Sequence, residues 1–284
     1  MSIAESQKVK VVIDSTADLP LETIKDLDLD MVPLTVLMGD QQYRDGMDIT
    51  STEFYKRLPG LSKLPTTSQP SPGLFLKAYE KAVNAGMSVI SIHLSAKLSG
   101  TYANAVVAAR NFPEGQVRVF DTQQVSAGIA FFVWTAVEMA RAGKTIDEIE
   151  AEMIKMRDLV KIIAVVDTLE YLHKGGRIGG LRNFLGSLLS VKPILQLKDG
   201  EVQPLEQVRT RNKALQRVAE LTKTMGPLDR LAILHGADPV GANTLADLIA
   251  PYFPKEKMYI SEIGPVIGTH AGPGAVGVGI QKAR

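Results

Sequence analysis

Two spacings of apolar residues alternate along this chain. Short apolar runs with strand character are followed by stretches in which apolar residues recur every three to four positions, the spacing of one helix face. KVVID (10–14) predicts a strand, and LPLETIKDL after it predicts a short helix with Asp18 as N-cap. MVPLTVLM (31–38) predicts a second strand, followed by a polar turn over 39–46. STEFYKRL predicts a helix behind Thr50, and Glu53 three residues on fits a capping box. SPGLFLKAYEKAVNAG predicts a helix with Ser71 as N-cap, Pro72 in the first turn and Gly86 as its stop, so that Phe75, Tyr79 and Val83 share one face.

The alternation continues with VISIHL as a strand, GTYANAVVAARNF as a helix and QVRVFD (116–121) as a strand. Two helices follow, the second opening at Thr145 with Glu148 placed to close another capping box. Beyond Val160 the texture changes. KIIAVVDT predicts a strand, and VKPILQLKDGEVQPLEQV predicts two strands turned at Asp199-Gly200, a hairpin and therefore antiparallel. LDRLAILHGA predicts a strand, and Asp238-Pro239 opens a helix running to Tyr252. The pattern implies an α/β chain of two closely packed domains, 1–160 with a mainly parallel sheet and 161–284 with a mixed sheet. Asp14-Ser15-Thr16, the segment 95–101 and Asp121-Thr122 all lie where a strand hands over to a helix. In a parallel sheet that is the edge where ligands bind.

With 284 residues, 45% hydrophobic and 22% charged, the chain has the mixture of a globular protein with a substantial core. Its net charge of +1 divides into an acidic part up to Asp158 and a basic remainder. The asymmetry is too mild for nucleic-acid binding but could bias a protein partner towards the second half. The absence of cysteine excludes disulfides, thiol catalysis and thiolate metal sites. MSIAESQK lacks the apolar core of a signal peptide, and the apolar stretch 127–140 falls short of the roughly 20 residues that span a bilayer. A cytoplasmic protein without stable membrane insertion is expected.

GPGAVG (272–277) matches GxGxxG, but only seven residues follow it, too few for the helix and acidic residue of a dinucleotide site. No phosphate-binding GxxxxGK[ST] loop is present. Ser99, His270 and Asp14 or Asp121 could compose a hydrolase triad, yet the GxSxG elbow is missing. Asp14 and Asp121 are more simply turn or cap residues. Histidines at 93, 173, 235 and 270 show no metal-ligand spacing.

What remains is a set of anion-binding candidates. TTSQPSP (66–72) and SAKLSGTY (95–102) read as hydroxyl-rich turns before helices, where Thr67, Ser68 and Ser99 could donate to a carboxylate or phosphate or could simply cap. The Gly- and Pro-rich segment 260–280 presents a lone imidazole, His270. KGGRIGG (174–180) offers Arg177 to an anion, or ends a helix with a solvated arginine. RTRNKALQR (209–217) places cations at a helix start, against the macrodipole. A solvated face accounts for that, and so does a docking patch for an acidic partner.

Taken in order, IDSTADLP, TTSQPSP, KLSGTYANA, DTQQVS (121–126), YLHKGGRIGG, VKPIL, VRTRNKA and GTHAGPGA resemble the motifs of the DegV family along almost the whole chain. These are fatty-acid-binding proteins, called FakB where they serve a fatty acid kinase. The resemblance implies a two-domain DegV-like fold with a long-chain fatty acid between the domains, its carboxylate at the surface end and its tail buried. It implies that Thr67 and Ser99, with Ser68 and Gly100 beside them, hold the carboxylate, and that His270 and Arg177 belong to the surrounding network. Arg209 would lie on the face presented to the kinase, which converts the bound acid to acyl phosphate for phospholipid metabolism. The protein would then be a carrier with no catalytic residue, metal or cofactor of its own. A separate enzyme, a hydrolase or phosphotransferase using His270, is the alternative.

Overall fold

The computed structural model describes residues 8–180 and 191–284. The opening segment considered above as a signal peptide thus lies outside the described residues, except for Lys8. The strands of the first part are β1 (Val9–Asp14), β2 (Asp30–Val32), β3 (Thr35–Met38), β4 (Gln41–Arg44), β5 (Thr66–Ser68), β6 (Ser88–His93) and β7 (Val117–Asp121). Those of the second are β8 (Val160–Val165), β9 (Lys192–Lys198), β10 (Glu201–Val208), β11 (Leu228–His235), β12 (Tyr259–Glu262) and β13 (Val276–Lys282). Between them run α1 (Leu21–Asp26), α2 (Ser51–Arg57), α3 (Pro72–Asn84), α4 (Thr101–Ala109), α5 (Ala127–Arg141), α6 (Ile146–Met156), α7 (Glu170–Lys174), α8 (Arg211–Thr224), α9 (Pro239–Ile249) and α10 (Pro265–Ala271).

The first sheet, in the order β2-β1-β6-β7, is parallel throughout. β1 and β6 are apolar on both faces because both faces are covered. Val12 and Val89 pack with Phe75 and Tyr79 of α3 and Ala105 of α4, whereas Val11, Ile13, Ile90 and Ile92 face α5 and α6. The second sheet, in the order β10-β9-β8-β13-β11-β12, is mixed, with only β11 and β12 parallel. Ile163, Val165, Val276 and Val278 pack under α8 and α9. Their alternates Ile162, Leu195 and Leu234 face the opposite way and join the core of the first sheet.

Helix α5 explains that shared core. It touches β1 and β6 on one side and β8, β11 and β13 on the other. A helix between two sheets must be apolar all round, and Ile129 to Val133 are fully buried. A Cβ at Gly279 would lie 3.2 Å from that of Ala127, so the glycine lets α5 sit close against β13.

Several local expectations hold. Asp199 and Gly200 take φ of 53° and 78°, as a two-residue hairpin turn requires. Thr145 and Glu148 form the reciprocal capping box on α6. Gly277 lies inside β13 rather than before a helix, so GPGAVG is a turn into a strand.

Others are corrected. The apolar run 31–38 is two strands, because Pro33 has no N–H to continue a ladder; β2 joins the first sheet while β3 pairs antiparallel with β4 and β5 in a third. The polar stretch after Gly39 contains β4. Thr66–Ser68 is an edge strand rather than a turn at a helix start, and its β-branched threonines are the signal that favours it. Asp18 does not cap α1. It takes φ 52° and its carboxylate accepts from Gly264 N–H, 246 residues later in the chain, at 3.0 Å.

Candidate functional site

Between the two larger sheets lies a cavity of about 1000 Å³, its open mouth included. Its walls are apolar. Leu94 and Leu98 come from the first sheet's loops, Ile162, Leu195 and Leu234 from the second sheet, and Ile267 from α10. These second-sheet positions alternate with the ones that face α8 and α9, so the period of two in β8, β9 and β11 already carries the lining.

Polar side chains gather at one end. Thr67, Ser99, Arg177 and His270 all line the cavity, although they come from four separate segments. Thr67 points inward on β5 while Thr66 and Ser68 on either side are exposed, as strand alternation demands. Ser68 therefore faces solvent, and its Oγ reaches only the Gln69 carbonyl at 3.4 Å. Gly100 precedes α4, and the Gln69 side-chain nitrogen sits 2.6 Å from where a Cβ would be. That bare backbone lets the two hydroxyl-bearing segments meet. Asn104 Nδ2 adds a hydrogen bond to the Pro70 carbonyl at 2.8 Å.

His270 sits near the C-terminal end of α10, which Asp18 anchors at the other end through Gly264. Its Nε2 lies 2.9 Å from Thr67 Oγ1, while Nδ1 has no partner among the described residues and abuts Gly175. Gly175 has no Cβ to overlap the ring, which is why a glycine stands there. Burial, and then the nearby Arg177, hold the imidazole pKa down from 6.5 to about 4. The ring is therefore neutral at physiological pH.

Ser99 Oγ bonds Thr101 Oγ1 at 2.9 Å and accepts from Thr101 N–H at 3.3 Å, so it closes a local turn while facing the cavity. Arg177 donates from Nε to the Leu98 carbonyl at 3.1 Å and from Nη1 to the Gly175 carbonyl at 2.8 Å. It ties the Ser99 turn to the backbone beside His270. Arg209 stands apart. It is exposed, and the six residues between it and cavity-lining Val202 span about 20 Å of extended chain. Arg211 and Arg217, by contrast, pair with Asp167, Asp238, Glu206 and Glu220.

The residues missed in the sequence are those whose role depends on distant partners. The tip of the β9–β10 hairpin docks on the first sheet through Ser95 Oγ and the Gly200 carbonyl at 2.6 Å. His93, Asp14, Ser91 and Tyr79 form a fully buried chain of hydrogen bonds under the first sheet. No spacing signal marks either contact.

Fold and site define an α/β protein with an apolar cavity between its two larger sheets and a hydroxyl-lined mouth. The chain belongs to the DegV family, whose model matches residues 8–283. A DegV domain-containing protein of Streptomyces coelicolor is 41% identical over 98% of this chain and 99% of its own. A fatty-acid-binding DegV family protein from Thermus thermophilus superposes with a TM-score of 0.92 at 36% identity, covering 98% of this chain and 100% of that one. DegV of Bacillus subtilis, a fatty acid binding protein, gives a TM-score of 0.87 at 33% identity with the same coverage.

Proposed function

We propose that this chain is a cytoplasmic fatty-acid carrier, holding a long-chain acid between the lobes 1–160 and 161–284 and presenting the carboxylate to a fatty acid kinase. The observation that carries the reading is the convergence of Thr67, Ser99 and His270 on the open end of an apolar cavity. The solved relatives that bind fatty acids support it. Each methylene removed from water contributes about 0.8 kcal/mol, so a dozen give about 10 kcal/mol before the costs of association. The tail thus supplies most of the affinity, and the head group needs only a few donors.

A head group held mainly by hydroxyls suits the next step. Thr67 and Ser99 hydroxyls would hold the carboxylate by hydrogen bonds, with the Arg177 charge nearby but its Nε and Nη1 turned to two backbone carbonyls. The carboxylate oxygen keeps its nucleophilicity for attack on the terminal phosphate of a nucleotide held by the kinase, giving acyl phosphate and a nucleoside diphosphate. Exposed Arg209, with no ionic partner among the described residues, is the proposed kinase contact.

The Thr67–His270 pair has the 2.9 Å spacing of a nucleophile and its base, which favours a hydrolase as the second reading. No acceptor orients His270 Nδ1 among the described residues, so that pair lacks the third group of a triad. Mass spectrometry of lipid extracted from natively purified protein decides between them. One fatty acid per chain and no ester turnover is expected; failure to retain or take up palmitate overturns the carrier reading. With a fatty acid kinase added, acyl phosphate should form, and Arg209→Ala should slow it most at low salt.

A further inference from the structure

Two segments take no part in the head-group site: IDSTADLP, which contains Asp18, and the polar stretch 39–46, which contains Asp45. Both carboxyls belong to the first lobe, and both act on the start of α10, which belongs to the second.

Helix α10 packs on α2, β3 and β5 of the first lobe, and its Val266, Ile267 and His270 line the acyl cavity. Wherever the helix sits, that wall and the imidazole at the mouth sit with it. Acids hold its start. Asp18 accepts from Gly264 N–H at 3.0 Å, while Asp45, 1% exposed, is favoured in its charged form by the Ser15 hydroxyl and Val266 N–H. Ser261 Oγ adds a bond to the Asp18 carbonyl at 3.1 Å, and Thr52 Oγ1 one to Glu262 Oε2 at 3.0 Å. Tyr55 of α2 rests its ring tip against Gly236 and Gly268, where a Cβ would stand 2.8 and 2.5 Å from its hydroxyl.

The lobes also meet at the other side of the cavity, through Ser95 with the Gly200 carbonyl and Arg177 with the Leu98 carbonyl. Those contacts bury no carboxyl. The contacts at α10 bury two, and among the described residues neither has a cationic partner. Such burial is costly. It raises the Asp45 pKa from 3.8 to about 7, and that of Asp18 well above the usual carboxylate range against the opposing pull of the Ser126 hydroxyl and Gly264 N–H. The groups facing the pair are Asp14 from β1, Tyr55 from α2, and Tyr259 and Glu262 from β12, with His235 beyond Glu262. Burial keeps both tyrosines protonated, and Arg44, next to Asp45 in the chain, is paired with Asp48. Both acids line a depression astride the seam, where water can hydrate them once α10 shifts. Of the two lobe contacts, this is the one poised to part.

We propose that Asp18 and Asp45 are positioning residues that clamp α10 across the seam, and that parting of this clamp is the step by which a fatty acid enters and leaves the cavity. The inference rests on the fatty-acid reading above. Parting hydrates the acids, which then ionise as ordinary carboxyls, so it releases protons and is favoured as pH rises. Between pH 6.5 and 8 His270 is neutral in either arrangement, and Asp45 by itself multiplies the open fraction about fourfold. The ligand's own carboxyl is ionised throughout that window. Uptake and release cross the same open state, so they speed up together and leave the equilibrium affinity unchanged.

Stopped-flow uptake of a fluorescent fatty acid, and its release into excess albumin, test the clamp at pH 6.5 and pH 8. In the wild type both rates should be at least threefold higher at pH 8, with affinity constant within twofold. The double variant Asp18→Asn, Asp45→Asn carries neutral isosteres of the protonated acids and should show the same rates at both pH values. Asparagine tolerates the left-handed backbone at position 18. Because the chain has no cysteine, Thr52→Cys with Glu262→Cys can be bridged across the seam by a short disulfide-forming crosslinker, with neither acid touched. Release should then slow at least tenfold and recover on adding reductant, a test that stands even where the asparagine pair does not fold. Wild-type rates independent of pH, a rise that persists in the asparagine pair, or undiminished release from the bridged protein overturns the clamp but leaves the carrier intact. If the wild type takes up no fatty acid, the carrier reading fails and the clamp with it.

Discussion

His93 and His270 are both largely enclosed and both bonded to a hydroxyl, yet they do opposite work. His93 has each nitrogen occupied, Nε2 by Ser91 Oγ at 2.7 Å and Nδ1 by Asp14 Oδ2 at 2.9 Å. Asp14 also accepts from the backbone of Thr16 and Leu94, and Tyr79 donates to Ser91. Nothing in that network is left over for a ligand. His270 uses one nitrogen on Thr67, leaves the other without a partner among the described residues, and faces a cavity. A histidine satisfied within the core holds a fold together; His270 instead lines a cavity, its Nε2 on Thr67 and its Nδ1 packed on Gly175.

The largest test of this contrast is stability. His93→Ala opens a cavity beneath Phe75 and strips one hydrogen-bond partner each from buried Asp14 and Ser91, so urea unfolding should show a loss of about 3–5 kcal/mol. His270→Ala should cost under about 1 kcal/mol, because its neighbours border open space. Equal losses would erase the distinction.

Binding should respond the other way round. Thr67→Val and Ser99→Ala each remove a donor to a charged group and should weaken fatty-acid binding by about 1.5–3 kcal/mol, with unfolding midpoints little changed. Titration with a fluorescent fatty acid measures this. If both variants bind like the parent, the hydroxyls serve only the strand and the turn.

The smallest effect is in the pH dependence. Above pH 6.5 His270 is neutral in folded and unfolded chains alike, but between 6.5 and about 4 only the unfolded chain gains the proton. Stability should therefore fall as pH is lowered through that window, by about 2 kcal/mol from this group after allowing for its partial exposure. His270→Gln should flatten that part of the profile in urea midpoints taken from pH 7 to pH 4.5. An unchanged slope would mean the ring takes up its proton in the folded state as readily as in water.

Much of the fold was legible because its signals are local. The β1 and β6 runs, the Asp199-Gly200 turn and the Thr145 capping box each depend on a few neighbouring residues. Errors fell where partners lie far off. Asp18 reads as a helix cap until Gly264 is beside it, and 66–68 reads as a turn until β3 offers a ladder. Thr67, Ser99, His270 and Arg177 could be named from residue type and motif, but Ser68 could be set apart from Thr67 only once strand alternation was known.

By itself the sequence determined most of the strands and helices, that thiol chemistry is absent, and which hydroxyls and imidazole stand in glycine- or proline-rich surroundings. Hydrophobic period and turn chemistry act over a few residues, so they survive without the rest of the chain. Tertiary structure alone decided that α5 lies between two sheets, that four distant side chains share one mouth, and that His93 is satisfied where His270 is not. A hydrogen bond or a cavity wall belongs to pairs of residues far apart in the chain, and only folding selects the pairs.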